Sequence, residues 1–218
     1  LGAHAGARAC RRADGDAQLW RYSVAALWFS ALLTLVLPAL FGVLASIWLR
    51  SAVLDLLLIA TASSVLAFVF PIAHHLGTQN LAGQQGRRFA LVYTSNVAGA
   101  ALGPLVTGYV LLHSLSLQQS FLVICAVQCA AAVFFTLALK AKPRHGVLAG
   151  VGTLLALGGA LGTTLQDPHA LVQSVNQPGG RAGTVVENRH GIITIFPDAS
   201  QGDAVYGGNV YDGRTNLN

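Results

Sequence analysis

Residues able to do chemistry are few in this chain, and most of them sit among apolar neighbours. Asn96 and Gln128 are the most polar groups inside long apolar runs, with Tyr93, Ser95 and Thr107 close to Asn96. A strongly polar group in hydrocarbon is costly and so is a functional candidate by default. The plainer reading is that both amides make interhelical hydrogen bonds. Asp55 lies near the edge of an apolar run, where a carboxylate meets headgroups or water rather than a proton path. His74 and His75 follow Pro71, with no carboxylate or cysteine near in sequence to complete a metal site. Cys125 and Cys129, four apart, share one helix face. Without clustered histidines or a second cysteine pair they read as small apolar fillers rather than a metal or redox pair. Cys10 stands alone.

A second set of candidates lies near the C-terminus. Glu187, His190, Asp198, Asp203, Asp212 and Asn216 could rim a site, although surface turn chemistry accounts for most of them. Gly150, Gly152, Gly158, Gly159 and Gly162 fall in an apolar helix rather than after a strand, so they form no phosphate cradle. No Ser-His-Asp or Cys-His arrangement stands out. The expectation is that the chain carries neither a catalytic residue nor a metal site of its own.

The elements that hold these groups belong in lipid. Hydrophobic residues make up 54% of the 218, and only 10% are charged, against about 25% in an ordinary soluble domain. Between Asp55 and Asp167 there is no carboxylate at all, which removes the usual proton carriers from most of the helices and weakens a transporter reading. The net charge of +5 comes from clusters between apolar runs, with no aromatic-basic face, so nucleic acid is not an expected partner. There is no methionine, and the expectation is a piece of a longer protein. The opening segment has no compact apolar core of the kind a secretory signal needs.

A spanning helix needs roughly 20 mostly apolar residues. Five stretches qualify, at residues 22–49, 52–72, 89–112, 117–139 and 146–165. Pro38 and Gly42 mark a kink or a break in the first, and the glycine-rich fifth is the weakest. The fold class is therefore a mostly α, polytopic transmembrane bundle of about five helices followed by a short β-meander. Residues 1–21 read as a flexible polar lead-in, 22–165 as the membrane domain, 166–183 as a linker, and 184–218 as the truncated start of a β-domain.

Positive residues flanking short loops tend to stay cytoplasmic. Arg8, Arg11, Arg12, Arg21, Arg87, Arg88, Lys140, Lys142 and Arg144 fall at one end of the alternating helices, against Arg50 alone in the other loops. The reading is a bacterial inner-membrane protein with a cytoplasmic N-terminus and an extracytoplasmic tail. Small residues four apart make grooves for close helix packing. Gly99, Gly103 and Thr107 form one, while Gly146 with Gly150 and Gly158 with Gly162 repeat the spacing. Such grooves also suit a homo-oligomer. In the tail, residues 184–187 and 192–196 read as strands around a turn at 188–191, and 203–206 and 209–211 as later strands. Gly207, Gly208 and Gly213 supply turn or bulge positions. So small a sheet leaves edges open and calls for a partner domain.

The order of features carries a family resemblance from about Leu40 onward. Val69-Phe-Pro-Ile72, the run from Gly86-Arg-Arg-Phe-Ala to Ala-Ala-Leu-Gly103, Val186-Glu-Asn-Arg-His-Gly-Ile-Ile-Thr-Ile195 and Tyr206-Gly-Gly-Asn-Val-Tyr-Asp-Gly213 resemble bacterial membrane-fused spermidine synthase-like proteins. The resemblance implies a helical bundle, a small β-domain and then a methyltransferase-like Rossmann domain. The glycine-rich nucleotide loop and the catalytic aspartate would lie in that last domain, beyond this chain. The family's soluble members transfer an aminopropyl group from decarboxylated S-adenosylmethionine to putrescine, which the resemblance implies as substrates of the full-length protein. It also implies substrate contacts for Tyr211, Asp212 and Asn216. The family places a glutamine three residues after its Asp-Gly, where this chain has Asn216. An extracytoplasmic tail conflicts with a cytoplasmic cosubstrate. Two other readings therefore stay open: a membrane transport module with a soluble regulatory tail, and a non-catalytic membrane docking subunit.

Overall fold

The computed structural model describes residues 1–46, 52–78, 85–138, 144–175, 183–208 and 210–215. The opening segment is where it departs most from the sequence reading. Instead of a flexible lead-in, Gly2–Arg12 form a helix, α1. Alanines alternate through it and favour the helical state, while Gly2 and Gly6 lie one turn apart on the same buried face. A Cβ at Gly2 would strike the backbone of Ser64, and one at Gly6 the backbone of Phe68. Small residues thus let α1 lie backbone to backbone along the second long helix, running the same way. Arg11 and Arg12 close α1, where cations offset the negative end of the helix dipole.

Helix α2 spans Asp16–Ser46 and α3 spans Ala52–Thr78. The first apolar stretch is one helix through Pro38, not two pieces. Helix α4, Gln85–Val106, continues through a π-helical turn, Thr107–Leu111, into the short α5, Leu112–Ser114. After a tight corner come α6, Leu117–Ala138, α7, Arg144–Gln166, and the short α8, Ala170–Val175.

Among the described residues, four segments are long and apolar enough to cross a membrane: Asp16–Leu44, Leu56–Thr78, Gly86–Ser114 and Leu117–Leu137. The fifth expected span, α7, forms a 23-residue helix, the first six side chains of which lie outside the described residues. Large apolar side chains point outward along the bundle, Leu137 being 80% exposed and Leu155 72%. An apolar surface this extensive is compatible with an integral membrane protein whose solvent is lipid.

The packed centre is small and lies where α2 meets α6 and α7. Val24, Trp28 and Ala31 of α2 pack against Cys125, Cys129 and Ala132 of α6, with Leu157 of α7 at the edge. Gly150 of α7 lies under the Trp28 ring, whose Cζ2 would be 2.9 Å from a Cβ there.

Beyond α8 the chain becomes the expected meander. Strands β1 (Thr184–Asn188), β2 (Gly191–Phe196), β3 (Ala204–Gly207) and β4 (Val210–Arg214) form one antiparallel sheet in sequence order. Val185 faces Thr194, and Thr194 faces Tyr206. Side-chain alternation therefore sets Glu187, Thr194, Phe196 and Tyr206 on one face and Val186, Ile193 and Val210 on the other. The Phe196, Tyr206 and Tyr211 rings meet edge to face in sequence, 5.4 and 5.5 Å between centroids.

Candidate functional site

A polar cluster sits at the corner before α6, where the sheet docks. Ser116 and Gln119 form a reciprocal capping box. The Gln119 amide N–H donates to Ser116 Oγ at 3.2 Å, and the Ser116 N–H donates to Gln119 Oε1 at 2.9 Å. Of the two first-turn amides this leaves, the Leu117 N–H donates to Glu187 Oε2 of β1 at 2.6 Å across 70 residues of chain. The carboxylate, its side chain only 5% exposed, thus occupies the positive end of a 22-residue helix. Its other oxygen lies 2.6 Å from His169 Nδ1, a pairing in which the imidazole N–H donates to the carboxylate.

His169 leads into α8, and the next bonds carry the joint into the bundle. Gln118 accepts the Leu171 N–H at 3.0 Å and donates to Thr164 Oγ1 of α7 at 2.6 Å. The Arg189 guanidinium adds a second tie between sheet and bundle, lying 5.6 Å over the ring of Tyr109 in the π-helical turn.

Directly beneath Gln118 lies a cavity of about 540 Å³ between α2, α6, α7 and α8. Thr34, Pro38, Gln118, Thr163, Thr164 and Leu171 are among the residues lining it. A larger groove of about 910 Å³ runs between α1, α2 and α3, with an almost wholly apolar lining.

On the outer hairpin, β3 and β4 lose register between Val205 and Tyr206. Val205 pairs with Gly213 and Tyr206 with Tyr211, so Asp212 is the extra residue of a β-bulge. Gly213 adopts φ +148°, a region that favours glycine. The Asp212 carboxylate lies over Gly207, where any Cβ would strike it. The predicted substrate-facing pair, Tyr211 and Asp212, is therefore exposed and re-aimed by a bulge; Asn216 lies outside the described residues. Further along the sheet, Arg214 Nη1 donates to Asp198 Oδ2 at 2.7 Å. That bond, joined by those of Ser200, holds the Asp198 carboxyl well below the usual carboxylate range.

The other candidates are scattered. Gln128 accepts the Thr34 hydroxyl at 2.9 Å, an ordinary interhelical hydrogen bond. Asn96 is exposed and has no protein partner among the described residues. His74 packs edge-on against Phe89 at 4.8 Å. The Asp55 side chain lies outside the described residues. Cys125 and Cys129 are buried free thiols with sulfurs 3.9 Å apart, and Cys125 donates to the Ala31 carbonyl at 3.4 Å.

Of the groove glycines whose surroundings are described, Gly150 alone is closely packed. A Cβ at Gly99, Gly103, Gly158 or Gly162 would meet nothing within 4 Å. Thr107 opens the π-helical turn, half-buried. Gly146 lies in α7, and its surroundings fall outside the described residues. Within the described chain, α7 thus meets a neighbour closely at Gly150, while Gly99 and Gly103 of α4 and Gly158 and Gly162 of α7 face open space.

Glu187 was visible only as one tail acid among several, and His169, Gln118 and Thr164 gave no signal. The capping-box spacing from Ser116 to Gln119 was legible, but not the strand that completes it. No family model matches this chain, and no curated protein or solved structure does either.

Proposed function

We propose that this chain is the membrane domain and leading β-segment of a spermidine synthase-like protein whose catalytic Rossmann domain follows the meander. The bulge at Asp212 carries the reading. It puts an exposed carboxylate directly before Gly213, in the stretch that resembles the family's substrate-side Asp-Gly. Aminopropyl transfer requires an amine nitrogen to attack a carbon beside a sulfonium and then to lose a proton. A carboxylate serves that chemistry by holding cationic amine groups. In this reading Asp212 holds an ammonium of the acceptor, Tyr211 flanks it, and the following domain holds decarboxylated S-adenosylmethionine. The outer sheet face, with Val186, Ile193 and Val210 exposed, offers that domain an apolar seat.

The basic clusters at one end of the helices support a cytoplasmic N-terminus and an extracytoplasmic sheet in the bacterial inner membrane, an orientation in which the cosubstrate has to be supplied on the extracytoplasmic side. A second copy of the chain is proposed against the open Asn96, Gly99 and Gly103 face of α4. A carboxamide both donates and accepts, so it can bond its own symmetry mate.

The test is full-length protein incubated with putrescine and saturating decarboxylated S-adenosylmethionine. Spermidine should form, and Asp212→Asn should lower kcat/KM at least about ten-fold, the loss of one charge-assisted contact. Absence of product would reject the activity. The docking-subunit reading draws on the Glu187 joint. It predicts that Glu187→Ala releases a bound partner while Asp212→Asn does not.

A further inference from the structure

We infer that the cavity beneath Gln118 is a binding site for an uncharged, single-chain amphiphile whose head carries a hydroxyl group. Its volume, about 540 Å³, falls in the range of small-molecule sites. Among the described residues that line it, none is Asp, Glu, Lys, Arg or His. A charged head would therefore give up water with no counter-charge from these residues, which is costly.

The polar groups that do line it cluster on α2, α6 and α7, and they have bonding capacity left over. The Gln118 amide uses one N–H on Thr164, and its second remains. The Thr163 hydroxyl donates to the Ala160 carbonyl at 2.9 Å, leaving its oxygen free to accept. Pro38 has no amide hydrogen, so the Thr34 carbonyl one turn earlier loses its helical donor at the cavity wall. A residual donor beside residual acceptors matches a hydroxyl, which does both, and suits neither a bare alkyl chain nor an ion.

The rest of the wall is apolar, from Leu35 and Phe121 to Val43, which is 58% exposed on the outer surface of α2. The cavity thus continues onto the lipid-facing side, from which a chain can enter. Leu171 of α8 forms part of the wall on the other side, tethered by Gln118. This site stands independently of the enzymatic reading.

The experiment uses the full chain in detergent, titrated with monoolein, oleate or 1-octadecene and read by native mass spectrometry. These probes share a long unsaturated hydrocarbon chain and differ in head: hydroxyl-bearing, anionic and absent. One monoolein should bind, with oleate and octadecene at least ten-fold weaker. Ala160→Trp, which fills the cavity, should abolish binding. Thr163→Val leaves the fold's contacts in place and should cut the preference for monoolein over octadecene about three-fold or more. Oleate binding as tightly as monoolein would overturn the inference, as would unchanged preference in Thr163→Val. If Ala160→Trp does not fold, the Thr163→Val result decides alone.

Discussion

Replacing Glu187 by alanine removes, in one step, the acceptor for the first amide of α6 and the partner of His169. An orphaned buried donor costs about 1–3 kcal/mol. The expected outcome is faster hydrogen exchange at Leu117 and Leu171, with a lower melting temperature for the full chain. Glu187→Gln keeps an oxygen for Leu117 and should lose less; equal losses would show that the cap is not what matters. At the far edge of the sheet, Asp198 behaves differently because it is only half-buried. Its carboxyl is held low chiefly by Arg214, so its contribution to the fold is present above the ordinary carboxylate range and fades as pH falls below about 4. Protection of the β3 and β4 amides, taken relative to the intrinsic exchange rate at each pH, should fall on acidification in the parent chain. In Asp198→Asn that acid-dependent fall should shrink.

Glycines show how an element's meaning depends on what lies against it. Gly150→Val would drive a branched side chain into Trp28 and should destabilise the bundle by about 1–3 kcal/mol, measured by thermal unfolding in detergent. Gly99→Leu points into open space and should leave that transition within about 0.5 kcal/mol. It should instead reduce cross-linking between copies if α4 is the proposed oligomer face. Helix α1 makes the same point from the other side. Gly6→Leu would strike the Phe68 backbone, which cannot move aside, and should free α1 to proteolysis at Arg8, Arg11 or Arg12. Cleavage no faster than in the parent would mean that α1 is held elsewhere.

Taken as a whole, the molecule is a helical bundle with its packed centre between α2, α6 and α7 and a sheet docked on the corner before α6. A reporter fused after Asn218 should be active only on the outer face of the inner membrane if the basic clusters set the orientation; cytoplasmic activity would invert the proposal. Much of this architecture was legible beforehand. Runs of apolar residues state the solvent of a helix, and alternation with glycine punctuation states a meander, because both are properties of a short segment on its own. The strand pair at 184–196, the glycine bulge at 213 and the single-helix candidates of α3 and α6 all follow from such local pattern. Tertiary structure decided what touches what. It gave α1 its seat on α3, chose Gly150 over Gly99 and Gly103 for close packing, and brought Glu187 to the amide of Leu117. Those contacts join residues 62 to 122 positions apart, and no periodicity within one segment encodes the partner that its face will meet.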